Sequence, residues 1–435
     1  MKISRRSLRV SVALGVFGLV VSARADVFNA NSVTLNNIPV PQYHSTRGAT
    51  TAGSFASSAM MGAFGHSLQP LLPGDWETAI TSQCATQTAR TDPTSKWPGV
   101  TGNPSSHCTP TGMAAALANL TGTDWVQYKW PATDQAGALN DTISALRDHG
   151  SPAIVPIYGQ ADHWVAIVQV TATNNAGMWT IGQVKIHDGG PVDQPDGNGN
   201  SYQGGEVSYS GRIWAMNYYL VVENINPSCD PCVSDNWYNQ YVLMWEPPED
   251  HIHSAVPSSF PRSPGVAIGA VTEKVAQSVV WKSLAAAGIN NDASTWSAIS
   301  GGAAGTALEV NAVSPAGERW DYFLVPIFAT AGSANTVKAV VLLAADDASF
   351  ESVHVLATPG QFTPLSKPSA ELLARTALKP GERLSTGILT WDPRAKTPFA
   401  KAPAFPYYEF GVLNGLKEVA TVRVSFSKGA VLRTP

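Results

Sequence analysis

The chain reads as an α+β fold in which helices and strands are segregated. Two observations predict this. Helix-forming stretches between residues 108 and 149 are followed by a run of apolar, β-branched and aromatic segments out to residue 246. The same pairing of one amphipathic stretch with several strand-like runs then recurs between 271 and 426.

The elements follow in order. Residues 26 to about 100 are rich in Ser, Thr, Ala, Gly and Pro and lack periodicity, so loops and short helices are expected there. "CTPTGMAAALAN" (108–119) is a strong helix former with Pro110 in its first turn, where a missing N–H costs nothing. "QAGALNDTISALRDH" (135–149) is a second helix, closed by Gly150. Strands are expected at 152–158, 163–172 and 178–188. The middle one, "HWVAIVQVTA", is apolar on both faces, as a buried central strand would be. Gly, Pro, Asn and Asp dominate 189–205, which reads as loop, and strands are expected at 213–223 and 237–246. Five prolines in 247–265 mark a linker. Beyond it, helices are expected at 271–289 and 369–378, with strands at 320–328, 336–345, 349–357, 407–413 and 419–426. The expected organisation is therefore 1–25 leader, 26–246 first domain, 247–265 linker, and 266–435 second α+β domain.

The first 25 residues read as a signal peptide. Lys2, Arg5, Arg6 and Arg9 form a basic head, residues 10–21 a 12-residue apolar core, and "ARA" (23–25) a small-x-small cleavage pattern. That core is shorter than the roughly 20 residues a membrane span needs. "SRRSL" also matches a twin-arginine export signal. Cleavage near Ala25 removes five of the 28 basic residues and no acid, leaving 23 against 32 acids, a net charge of −9. A mature chain this acidic offers no electrostatic footprint for nucleic acid. The expected location is periplasmic or secreted, with no membrane anchor; oligomeric state is not legible.

Three residues could form a thiol catalytic set. Cys108 opens a helix, where the positive end of the dipole favours a thiolate. His163 begins a strand that would hold its ring, and Asp188 ends the next strand, immediately before "GGP". A hairpin at 173–177 would bring the two strands together. Cys229 and Cys232 in "SCDPC" precede a strand rather than a helix, and a structural disulfide is the expectation for them. The chain has no second C-x-x-C and no spaced histidine pair, so no metal site is expected.

Taken in order, "CTPTGMAAAL", "DHWVAIVQV" and "VKIHDGG" resemble the papain-like cysteine peptidases of the bacteriocin-processing type and their secreted relatives. The resemblance covers roughly residues 75–225. It implies a papain-like fold, no cofactor, a peptide or protein substrate, and hydrolysis through an acyl-enzyme. Cys108 would be the nucleophile, His163 the general base and acid, and Asp188 the orienting group. The family's oxyanion-hole glutamine would stand at position 102, which is Gly; Asn103 is the nearest amide to take its place. The residue after the cysteine is Thr109 where Gly is commoner. The C-terminal half resembles cystatin-like or propeptide-like modules. An exported cysteine peptidase is therefore the leading expectation. A peptide- or protein-binding protein on the same scaffold is the alternative, and a cell-wall amidase is third because its usual Asp-Cys-Ser is His107-Cys108-Thr109 here.

Overall fold

A computed structural model describes residues 32–34, 78–80, 82–83, 86, 110–122, 125–149, 153–156, 164–175, 178–189, 205–220, 239–245, 258–267, 269–329, 336–356, 364–395, 402–426 and 429–435. The fold is mixed α+β, with extensive sheet and few helices.

In the first half, β1 (Ser32–Thr34) precedes α1 (Pro110–Thr121), β2 (Val126–Pro131) and α2 (Gln135–His149). Then come β3 (Ala153–Pro156), β4 (Trp164–Asn175), β5 (Met178–Asp188), β6 (Gly205–Ser210) and a short helix, α3 (Gly211–Ile213). A π-helical turn (Trp214–Tyr218) follows, then β7 (Gln240–Trp245) and β8 (Ser258–Ser259). Asp134 starts α2 by accepting a hydrogen bond from the Gly137 amide at 2.8 Å, as a helix N-cap does. The hydrophobic side of α2 (Ala138, Leu139, Ile143, Leu146) shares one core with Val165 and Ile167 of β4 and Val184 and Ile186 of β5.

The second half contains α4 (Glu273–Ala286), α5 (Ala293–Ile299), β9 (Ala303–Ala304), β10 (Leu308–Ala312), β11 (Tyr322–Phe328), β12 (Val337–Ala344) and β13 (Phe350–Val355). It continues through α6 (Lys367–Arg375), β14 (Glu382–Leu384), β15 (Ile388–Trp391), β16 (Tyr407–Asn414), β17 (Lys417–Ser425) and β18 (Val431–Thr434). Its helices begin at side-chain caps: Thr272, Asp292 and Ser366 accept from the amides of Val275, Thr295 and Ser369. Ala276, Val280 and Leu284 of α4 pack on Phe323, Val325, Val341 and Val353, covering one face of β11–β13. The opposite face, with Tyr322, Leu324 and Leu342, joins the core that includes Trp391, Tyr408 and Phe410 of a second sheet, β15 to β18. β10 belongs to both sheets, pairing with β11 and, at its end, with β15.

The two halves share a sheet. β4 pairs with β5 and β5 with β6, all antiparallel. β6 then pairs with β13 of the second half, with Ser352 opposite Tyr209 and His354 opposite Val207. β8, inside the proline-rich 247–265 stretch, runs parallel to β5 at Trp179–Thr180.

Between 205 and 220 the structure departs from the sequence expectation. β6 lies where loop was expected to end, and the chain from Gly211 to Tyr218 is helical where a strand was expected. Aromatic and β-branched residues favour strands on average, but Trp214 and Tyr218 are also four residues apart. On a helical turn that spacing stacks their rings, with centroids 6.1 Å apart, and buries both. Ser210 Oγ accepts from the Ile213 amide, capping the turn. Gly211 allows it, because a Cβ there would stand 2.0 Å from the Ile181 carbonyl oxygen. Gly211→Ala is therefore expected to destabilise the protein by about 1–3 kcal/mol, seen as a lower urea midpoint at unchanged m-value.

Candidate active site

Asp188 is the last residue of β5 and is completely buried. Val184 and Ile186, on its face of the strand, lie in the core packed by α2. Across the ladder Asp188 pairs with Gly205, whose φ of 100° lies in the region open to glycine. On its other side, β5 pairs with β4 in the register Ala166 opposite His187. That is the last pair of the ladder, so Asp188 stands one residue beyond it, toward the start of β4. β4 starts at Trp164, immediately after His163 in the chain, and Trp164 is fully buried. The expected antiparallel pairing of the strands at 163–172 and 178–188 is thus present between β4 and β5.

α1 starts at Pro110, two residues after Cys108, and its first turn holds no acidic residue. The partial positive charge of that terminus is therefore not cancelled by a carboxylate of the helix itself. Met113, Ala116 and Leu117 are fully buried and fix α1 in place. Cys108, His163, Asn103, Cys229 and Cys232 lie outside the described residues, as does the 1–25 leader. Of the expected catalytic set, Asp188 is the member whose surroundings are described.

The other face of the same strands carries a charged cluster that the sequence reading passed over. Lys185, on β5, is buried and its Nζ lies 2.8 Å from Glu206 Oε1 of β6 and 2.8 Å from Asp292 Oδ2, the cap of α5. Ser294 Oγ also accepts from Lys185 Nζ. Thr295 Oγ1 lies 2.6 Å from Glu206 Oε1 and 2.7 Å from Asp292 Oδ2. His187 Nε2 stands 3.5 Å from Glu206 Oε2. Burial would raise the Glu206 carboxyl, but His187, Lys185 and Thr295 together outweigh it and hold the group at about 2. The signal was present in "QVKIHD": Gln183, Lys185 and His187 alternate with Val184, Ile186 and Asp188, so the strand has one polar and one mostly apolar face. Among the described residues, no group of three or more His, Cys, Asp or Glu side chains could hold a metal ion. In this cluster the cation is the Lys185 ammonium.

No protein-family model matches the chain, and neither the curated proteins nor the solved structures contain a match to it. Among the described residues no helix is long and apolar enough to cross a membrane.

Proposed function

We propose that this chain is an exported cysteine peptidase with a papain-like first half, using Cys108, His163 and Asp188. The observation that carries the reading is the β4–β5 register, which sets a fully buried Asp188 beside the start of the strand that follows His163. Val165 and Ile167 of β4 share a core with Val184 and Ile186, the face of β5 on which Asp188 lies. A buried carboxylate there would fix the imidazole tautomer and stabilise the imidazolium. The start of α1 just after Cys108, with no acid in its first turn, supports a thiolate at that position.

The steps follow from these roles. The Cys108 thiolate adds to the substrate carbonyl carbon, and the resulting oxyanion would accept amide N–H bonds near the helix start. His163, as imidazolium, gives its proton to the departing amine as the C–N bond breaks. Water, deprotonated by the same imidazole, then cleaves the thioester and regenerates the thiol pair. A peptide-binding role without turnover is the second reading, favoured by Gly102 at the position where the resembling family carries its oxyanion-hole glutamine.

The test is alkylation of the mature protein with iodoacetamide across pH 5 to 9. Cys108 is expected to be labelled selectively below pH 7, and His163→Ala to move its reactivity up toward that of an ordinary thiol, near 8.5. Finding Cys108 quantitatively in a disulfide would sink the reading. Labelling as expected, but with no cleavage of casein, would favour the binding role.

A further inference from the structure

The clearest unassigned recognition feature lies on the seam between the halves, away from Asp188. There, α3 leaves β6 and meets β13 and the β12–β13 turn. A cleft of about 410 Å³ opens there, lined by Arg212, Arg262, Arg319, Trp320, Asp346 and Glu351.

Two of its three guanidinium groups are well occupied. Arg262 forms a two-pronged pair with Asp346, at 2.5 and 2.6 Å, and approaches Asp347 at 3.6 Å and Glu351 at 3.9 Å. Arg319 bonds Asp321 at 2.6 Å and Asn311 at 3.2 Å. Arg212 is different. Its side chain is two-thirds buried, yet its single hydrogen bond among the described residues is a long one, 3.3 Å from Nη1 to Glu351 Oε1. A guanidinium carries five N–H donors in a fixed fork suited to a planar or tetrahedral oxyanion, so most of this fork is unfilled.

We infer that this cleft binds an oxyanion, a carboxylate or phosphate group of a ligand, gripped by the free prongs of Arg212 and flanked by Arg262 and Arg319. The two flanking carboxylates, Asp346 and Asp321, are neutralised by their own arginines and do not compete for Arg212. Glu351 does compete. It is buried on β13, accepts from Ser210 Oγ at 3.1 Å, and faces Arg212, Arg262 and Asp347. Burial pushes its carboxyl up to about 7 against the pull of the two arginines and Ser210, with Asp347 adding to the rise. An incoming oxyanion would therefore replace the Glu351 charge at Arg212, and Glu351 would take up a proton. Binding should tighten as pH falls from 8 to 6. The inference does not depend on the peptidase reading.

The experiment is calorimetric titration of the full mature chain with sulfate, a stand-in for a phosphate group that does not titrate in this range, and separately with acetate. Ionic strength is held constant with chloride. Saturable one-to-one binding of at least one probe is expected, and the tighter one identifies the headgroup chemistry. Arg212→Gln should weaken it by about tenfold or more and Arg212→Lys by less, because the charge remains and the fork is lost. Glu351→Gln should bind with no pH dependence between 6 and 8, and Arg394→Gln, in a separate cleft, should bind as wild type. Absence of saturable binding by either probe would overturn the inference, as would wild-type affinity in folded Arg212→Gln. Should Arg212→Gln not fold, pH-independent wild-type binding would overturn it equally.

Discussion

Replacing Lys185 with Met is expected to cost about 3–5 kcal/mol of folding free energy at pH 7, the largest single stability effect outside the hydrophobic core. The ammonium is the one cation between Glu206 and Asp292, and all three groups are largely withdrawn from water. Without it, two carboxylates face each other across β6 and the start of α5, and Thr295 can satisfy only one at a time. One carboxyl should then take up a proton, so the variant should recover part of its loss as pH falls toward 5. The wild type behaves oppositely. Glu206 is held at about 2, below its ordinary value of 4.5, so its contribution is complete above about 4.5 and disappears as pH falls through 2. That contribution is about 3 kcal/mol for a shift of this size. Urea unfolding followed by tryptophan fluorescence at pH 5 and 7 measures both trends. The double variant Lys185→Met with Glu206→Gln should be more stable than Lys185→Met alone. A wild-type midpoint in Lys185→Met would show that the cluster does not hold β5 and β6 to α5.

The second large effect concerns turnover. Asp188→Asn is nearly isosteric, so it should leave the fold intact while lowering kcat on a peptide substrate by about 10²–10⁴-fold with little change in KM. The physical reason is tautomeric. An amide cannot stabilise an imidazolium and holds the ring equally well in the wrong protonation state. The split between kcat and KM separates this from a structural role, since a displaced β5 end would disturb binding as well. The pH profile of Cys108 alkylation gives a second readout, expected to shift upward in Asp188→Asn because the thiolate loses part of its imidazolium partner. Unaltered kcat would remove Asp188 from the catalytic set.

How much of this was legible depends on the range of the forces involved. α1, α2, β4 and β5 were readable because their signals are local: a proline in the first turn, a cap, and an apolar run without breaks. Asp188 could be picked as a candidate because it ends such a run just before a turn. The turn at Gly211–Tyr218 was misread because its aromatic run favours a strand by propensity, while the four-residue spacing of Trp214 and Tyr218 also suits a helical turn. Its outcome rests on Gly211 meeting the Ile181 backbone, a contact between residues thirty positions apart. β6 was missed because six residues bounded by glycine and polar positions carry little pattern of their own. Its ladder partners, β5 and β13, come from the two separate halves.

The sequence by itself determined the α+β class, the strong helices, the longest strands and the residue types able to do thiol chemistry. Those follow from side-chain volume, backbone restriction and hydrophobic period, which act over a few residues. Only the tertiary structure decided that β6 joins β13, that Lys185 reaches Asp292 across more than a hundred positions, and that Arg212 meets Glu351 in a shared cleft. Charges leave no periodic trace of their partners. A buried ion needs a counter-ion within a few ångströms, and which residue supplies it is fixed by how the sheet closes.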